Sequence, residues 1–290
     1  MRETNGAALE RARPLVKKLR GVAASDGAGV KLTRVIGTPQ LEALDPFLLL
    51  DEFGSDDPGA YIGGFPDHPH RGFETITIML AGRMRHRDSK GNEGLLGPGA
   101  VQWMTAGRGL VHSEMPEQEE GLMRGFQLWL NLPARLKMTS PSYRDIQPQS
   151  VPQVELPGGV RVRVIAGELA GTAGAVPLDP EARPTQPYLL DVELPPGTVA
   201  SIPLPEDHHA FAYVYEGQLS LEGSEALARS DLAVLGTGDG VTAKAGEEGA
   251  SLLIAAARPI NEPVARYGPF VMNSREEIIQ AVEDFREGRF

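Results

Sequence analysis

Apolar and polar residues alternate with a period of two along much of the chain. Val30, Leu32, Arg34 and Ile36 fall on one face of a short run, with Lys31, Thr33 and Val35 on the other. Val160–Ile165 alternates Val and Arg strictly, which puts Val160, Val162 and Val164 together. Thr75–Leu80 is rich in β-branched residues, and Tyr188–Leu194, Ala210–Tyr215 and Ser251–Ala256 are further runs of the same kind. Successive side chains of a strand point to opposite faces, so this period predicts strands. Gly97-Pro98-Gly99, Pro195-Pro196-Gly197, Glu216-Gly217 and Gly238-Asp239-Gly240 read as the turns between them. Many short strands at close spacing predict an all-β chain of sandwich or barrel type.

The period changes near the C-terminus. Ser274 can cap a helix, Glu277 completes a capping box, Ile278, Val282 and Phe285 follow at helical spacing, and Gly288 can end it. This short C-terminal helix needs an apolar surface to dock on. Gln118–Leu122 reads as a shorter helical stretch. Residues 146–160, with three prolines and few packing residues, read as a linker. The expected organisation is therefore an N-terminal β domain over 1–145, the linker, a second β domain over 161–262, and a tail over 263–290. A faint repeat supports duplication: a histidine-bearing entry, a β run and a closing glycine recur in Gly63–Gly82 and His208–Gly217.

Composition narrows the functional classes. The net charge of −11 over 290 residues argues against direct nucleic-acid binding and against anionic membrane surfaces. The absence of cysteine excludes disulfides, zinc–thiolate sites, iron–sulfur clusters and a thiol nucleophile. The first twenty residues are basic but contain no apolar run of signal-peptide length, and Leu252–Ala257 is far shorter than a membrane span. The expectation is a soluble cytoplasmic protein, or a nuclear one if the source is eukaryotic.

The chemistry concentrates in two stretches. In Phe65–Thr75, His68 and His70 stand two apart, on one face of a strand and roughly 7 Å apart along it. In Leu110–Pro116, His112 and Glu114 repeat the spacing. Facing each other across a barrel interior, these strands would offer three neutral nitrogens and one carboxylate oxygen. Such a set suits a first-row divalent ion and leaves two octahedral positions open, with a net charge of +1 that favours a phenolate or enolate. Iron, manganese, nickel, cobalt, zinc or copper(II) meet these donors, whereas copper(I) prefers softer ones. Glu74, four residues after His70, competes with Glu114 as ligand or orients an imidazole from behind. His86, among charges in Arg83–Ser89, reads as a solvated strand end. His208 and His209 are adjacent, so a regular strand points them apart, and no metal is expected in the second half. Thr105–Leu110 lacks the Lys-Ser/Thr of a phosphate loop and reads as a turn.

The run FPDHPHRGFETITIMLAGRMRHRDS (65–89), then GPGAVQWMTAGRGLVHSEMP (97–116), LWLNLP (128–133) and EPVARYGPFVMNSREEIIQA (262–281), closely resembles the pirin family of the cupin superfamily. The resemblance implies a bicupin of two antiparallel jelly-roll barrels, with metal in the N-terminal one and the tail packed back on it. It implies Fe(II) held by His68, His70, His112 and Glu114. Many other cupins take the carboxylate from the place of Glu74 and end the second motif in Asn, where this chain has Pro116.

Pirin relatives imply two functions. One is a quercetin 2,3-dioxygenase, which opens a flavonol with O₂ and releases carbon monoxide; Glu114 would then be both ligand and catalytic base, and Phe53, Phe73, Trp103 and Met104 would wall the pocket. The other is an iron-dependent, redox-sensitive regulator with a protein partner, either a transcription factor or a metabolic enzyme.

Overall fold

The computed structural model describes residues 9–290; the first eight residues of the basic N-terminal stretch lie outside them. Strands dominate, their sheet pairings are antiparallel, and the chain divides into two compact units. No helix among the described residues is long and apolar enough to cross a membrane.

One unit comprises Val22–Pro148 and Ile260–Phe290. Its larger sheet orders the strands Ser142–Ile146, Val101–Thr105, Phe73–Ala81, Met123–Asn131, Phe47–Ser55, Val30–Ile36 and Val22–Asp26. Its smaller sheet orders Phe65–His70, Leu110–Pro116, Met84–Asp88 and Glu93–Leu96. Val30, Leu32, Phe53, Met79 and Met123 from the large sheet pack with Met84 and Leu96 from the small one. The alternation read in the sequence is what presents these side chains to a common interior.

The other unit comprises Gln149–Pro259 together with the segment ending at Gly21. Val160, Val162 and Val164 are fully buried in its core, while Arg161 and Arg163 on the opposite face pair with Glu193 and Asp191 across the sheet. Its longest strands, His209–Leu221 and Gly240–Ala257, pair with each other.

Several boundaries differ from expectation. The N-terminal segment does not belong with the 22–148 unit: Leu15–Arg20 pairs with Asp231–Leu235. Buried Arg13 ties it down by donating to the carbonyls of His208 (2.9 Å), Gly236 (2.8 Å) and Pro205. The 146–160 stretch is not a free linker. Gln153–Leu156 pairs with Val160–Ala166 across a turn in which Gly158 and Gly159 both have positive φ, the Gly-Gly hairpin signal. Glu216–Gly217 is not a turn but an irregularity inside one long strand, with Gly217 at φ +64°. Gln118–Leu122 forms bends rather than a helix: Gly121 has φ +88°, and the Gln118 amide donates to three carbonyls of the loop.

The C-terminal helix spans Arg275–Arg286 with the expected capping box between Ser274 and Glu277. Its buried residues are Ile278 and Ala281, and Phe285 is largely exposed. It packs on the hairpin of Ala265–Tyr267 and Phe270–Met272, within the same unit as the 22–148 sheets. Buried Lys137 fixes that hairpin: its Nζ donates to Gly72 O (2.8 Å), Asn131 Oδ1 (2.7 Å) and Val271 O (3.0 Å). Burial pulls its pKa down from 10.5 to about 8. The folded state therefore sheds this proton before the unfolded chain does, and between those two values stability rises with pH. Lys137→Met leaves buried acceptors unpaired, and we expect it to cost about 1–3 kcal/mol at pH 7. In denaturant titrations the wild type should gain further on this variant as the pH is raised through that window.

Candidate metal centre

The 22–148 unit brings the predicted residues together from separate strands. His68 and His70 lie on the 65–70 strand, and His112 on the 110–116 strand stands directly across from His68. Ring centroids are 4.7 Å apart for His68–His70, 4.3 Å for His68–His112 and 4.9 Å for His70–His112. One nitrogen from each ring lies within 4.8 Å of the others. His70 and His112 are buried and His68 half-buried.

The free nitrogens point to the chemistry. His68 Nδ1 donates to Pro66 O at 2.8 Å, which leaves its Nε2 as the lone-pair nitrogen. His70 Nδ1 and His112 Nε2 are buried without a hydrogen-bond partner. Burial first, and then the neighbouring imidazoles, hold both groups well below the usual histidine range. The His70 and His112 rings are therefore held in the neutral form, each with a lone pair to give. An unpaired buried polar atom costs about 1–3 kcal/mol. A first-row divalent metal ion is the partner that three convergent imidazoles fit.

Glu114 is buried and lines the same cavity as His68 and His70. Its carboxylate is held from the facing sheet: Oε1 accepts from Thr77 Oγ1 at 2.8 Å and Oε2 from Gln127 Nε2 at 2.8 Å. It stands outside the tight nitrogen group. The 110–116 strand keeps its alternation, so His112 and Glu114 share a face; the register shift beside them comes from an extra residue on the 65–70 strand, between Phe65 and His68. Glu74 is not part of the group: the chain turns at Gly72 (φ +90°) and carries it to the other sheet. There its Oε1 accepts from Thr105 Oγ1 at 2.7 Å.

His86 is not a solvated strand end. It is fully buried, stacked on Tyr143 with centroids 5.0 Å apart, and its Nδ1 lies 3.4 Å from His112 Nδ1. The signal was present: on the 84–88 strand the neighbouring Arg85 and Arg87 alternate with Met84 and His86, so the charges occupy the opposite face. His208 uses both ring nitrogens, on Asp207 (2.8 Å) and on Gln186 O (2.9 Å). Thr105–Leu110 turns through Gly107 and Gly109, both at positive φ, into the 110–116 strand.

A cavity of about 400 Å³ opens onto His68, His70 and Glu114. Phe53 lines it as expected, but Phe73, Trp103 and Met104 are core residues. Phe73 instead supports the site from behind, with its ring 5.0 Å from His70 and 4.5 Å from Trp129. The walls that the sequence did not disclose are Leu49, Phe65, Gln127 and Trp129, and Arg266 from the C-terminal hairpin. Leu49, Asp51 and Phe53, like Gln127 and Trp129, reach it by period-two spacing on their strands.

Two antiparallel β units, one of which encloses a histidine cluster between its sheets, define a bicupin. Residues 29–130 match the family model Pirin, and residues 189–290 match the Pirin C-terminal cupin domain. The chain belongs to the pirin family. A pirin-like protein of Caulobacter vibrioides is 52% identical over 96% of this chain and 99% of its own length, and human pirin is 42% identical over 91% and 89%. The crystal structure of a quercetin 2,3-dioxygenase from Acinetobacter baumannii superposes with a TM-score of 0.88 at 33% identity, covering 96% of this chain and 98% of that one.

The contact between His86 and His112 carries a prediction. Groups that orient a ligating imidazole are typically worth 10–100-fold in metal affinity. His86→Phe keeps an aromatic ring against Tyr143 but removes the nitrogen that faces His112. We expect metal affinity, measured by chelator competition, to fall about 10–100-fold, with the thermal midpoint of the metal-free protein little changed.

Proposed function

We propose that this protein is a metal-dependent dioxygenase that opens the central ring of a flavonol such as quercetin, consuming O₂ and releasing carbon monoxide. The observation that carries the reading is the cavity itself, with His68, His70 and Glu114 on one side and Phe53, Phe65 and Trp129 on another. Its size falls in the range of small-molecule sites, and its aromatic walls suit a flat polyphenol. The likeness to a crystal structure named as a quercetin 2,3-dioxygenase supports the same reading.

In this proposal His68, His70, His112 and Glu114 hold one transition ion, for which we propose iron(II). When bound, the ion supplies a Lewis-acidic centre and electron exchange with dioxygen. The protein's own part is positioning and proton transfer. Trp129 and Phe53 hold the aromatic rings and exclude water from the reacting face. Glu114 Oε2 receives the proton of the substrate's enolic hydroxyl, and the Gln127 amide keeps that oxygen aimed into the cavity. Thr77 holds the other carboxylate oxygen, so the group acts from a fixed position.

Aerobic incubation of the iron-loaded protein with quercetin should bleach the flavonol and release one carbon monoxide per molecule consumed. The double variant His68→Ala, His70→Ala should be inactive. Glu114→Gln should keep the metal through its three histidines and lose about 10²–10⁴-fold in turnover. Turnover no higher than that of the double variant with iron, manganese, nickel and copper would overturn the proposal.

A further inference from the structure

Two guanidinium groups, Arg34 and Arg266, face the cavity, and their surroundings differ. Arg34 is paired with two carboxylates: Nε donates to Asp51 Oδ1 at 2.9 Å, and Nη2 donates to Asp51 Oδ2 and Asp26 Oδ2, each at 2.8 Å. Arg266 forms no ion pair among the described residues. Its polar contact is a single bond from Nη1 to Leu48 O at 3.2 Å, and its guanidinium lies over Trp129 at 4.9 Å from the ring centre. A guanidinium has five N–H donors in a planar fork, so most of this one is uncommitted. Burial, and then the nearby Arg34 charge, push its pKa down, partly offset by the Asp51 and Asp26 carboxylates, neither of which bonds to it.

The placement is specific. Trp129 touches both groups: the guanidinium lies over its ring, and the His70 ring meets it edge-on with centroids 5.2 Å apart. Arg266 and His70 thus border the same cavity with one indole in contact with each. Arg266 is held there by the hairpin whose tip, Gly268–Pro269, also forms part of the wall.

We propose that Arg266 is a specificity-determining residue that binds a second acidic group of the substrate, so that the preferred ligand is an aromatic compound with metal-chelating oxygens at one end and a carboxylate or similarly acidic oxygen about one ring away. This rests on the dioxygenase reading for the position of the chelating end. A planar fork with free donors recognises a carboxylate bidentately. The aromatic ring between the two ends lies along Trp129, which gives the anion its distance from the ion.

The test compares two chelators that differ at the far end, 4-methylcatechol and 3,4-dihydroxybenzoate. Binding is measured calorimetrically on the zinc-loaded protein, so that turnover is not required. The wild type should bind the carboxylate about tenfold tighter than the methyl compound, equivalent to about 1.4 kcal/mol. Arg266→Gln should abolish that preference while leaving 4-methylcatechol affinity within about twofold. Arg266→Lys should retain part of it, because it keeps the charge without the fork. The preference should also shrink in high salt. An unchanged preference in Arg266→Gln, or equal affinities in the wild type, overturns the assignment, as does a zinc-loaded protein that binds neither compound. Because the readout is a ratio of affinities, loss of general packing around Trp129 would weaken both ligands alike and would not mimic the expected result. Absence of quercetin turnover with an intact preference would count against the dioxygenase and not against Arg266.

Discussion

The structure depends on keeping three imidazoles together with two of them, His70 and His112, buried away from water. Two of their nitrogens are buried with nothing to bond, a condition that native proteins avoid unless another partner takes the position. The surrounding groups hold the rings in this arrangement. Pro66 O takes the outer nitrogen of His68, His86 faces the outer nitrogen of His112, and Phe73 closes the back of His70. Each contact fixes a ring orientation without consuming the nitrogen that points inward, and that orientation is what a metal site needs from its neighbours.

The C-terminal tail is part of the same constraint. Arg71, next to His70, is buried; its guanidinium donates to Arg108 O at 2.6 Å and to Asp284 at 2.7 Å, and it lies over the Phe290 ring at 4.4 Å. Gly72 follows at positive φ so closely against Val271 O that a Cβ would stand 1.9 Å from it. No residue with a side chain fits there unless the hairpin moves. The turn that carries the chain from the histidine strand to the large sheet is thus shaped by residues some two hundred positions later. This is why the metal cavity has a wall that no local motif encodes.

What the sequence made legible follows from the range of the interactions involved. The strand runs at 30–36, 160–166 and 188–194 were readable because period-two patterning is a local property. So was the helix, since its capping box lies within four residues. The three histidines were readable because i, i+2 spacing fixes a common face whatever the partner strand. Partner identity was not readable. Nothing in Leu15–Arg20 says that it pairs with Asp231–Leu235, and nothing in Arg266 says that it stacks on Trp129. His86 shows a different failure: its arginine neighbours suggested solvent, yet alternation sends those charges outward and the ring inward. Composition over a window misleads wherever a strand has one wet face.

Glu114 shows how far a motif can be taken without its surroundings. Spacing puts it in line with His112, and the regular strand keeps it there, with its carboxylate reaching the facing sheet, where Thr77 and Gln127 bind both oxygens. Each oxygen keeps a lone pair after accepting one hydrogen bond. One carboxylate can then serve a cation and a substrate proton without changing its anchor, because the anchors are hydroxyl and amide donors rather than competing charges. Jelly-roll sheets bring such strands together for many chemistries, so the fold does not by itself select one. The selection lies in which side chains of the large sheet reach across to the histidine strand. Here those are a hydroxyl, an amide and an indole: two hold the carboxylate of Glu114, and one walls the cavity beside His70.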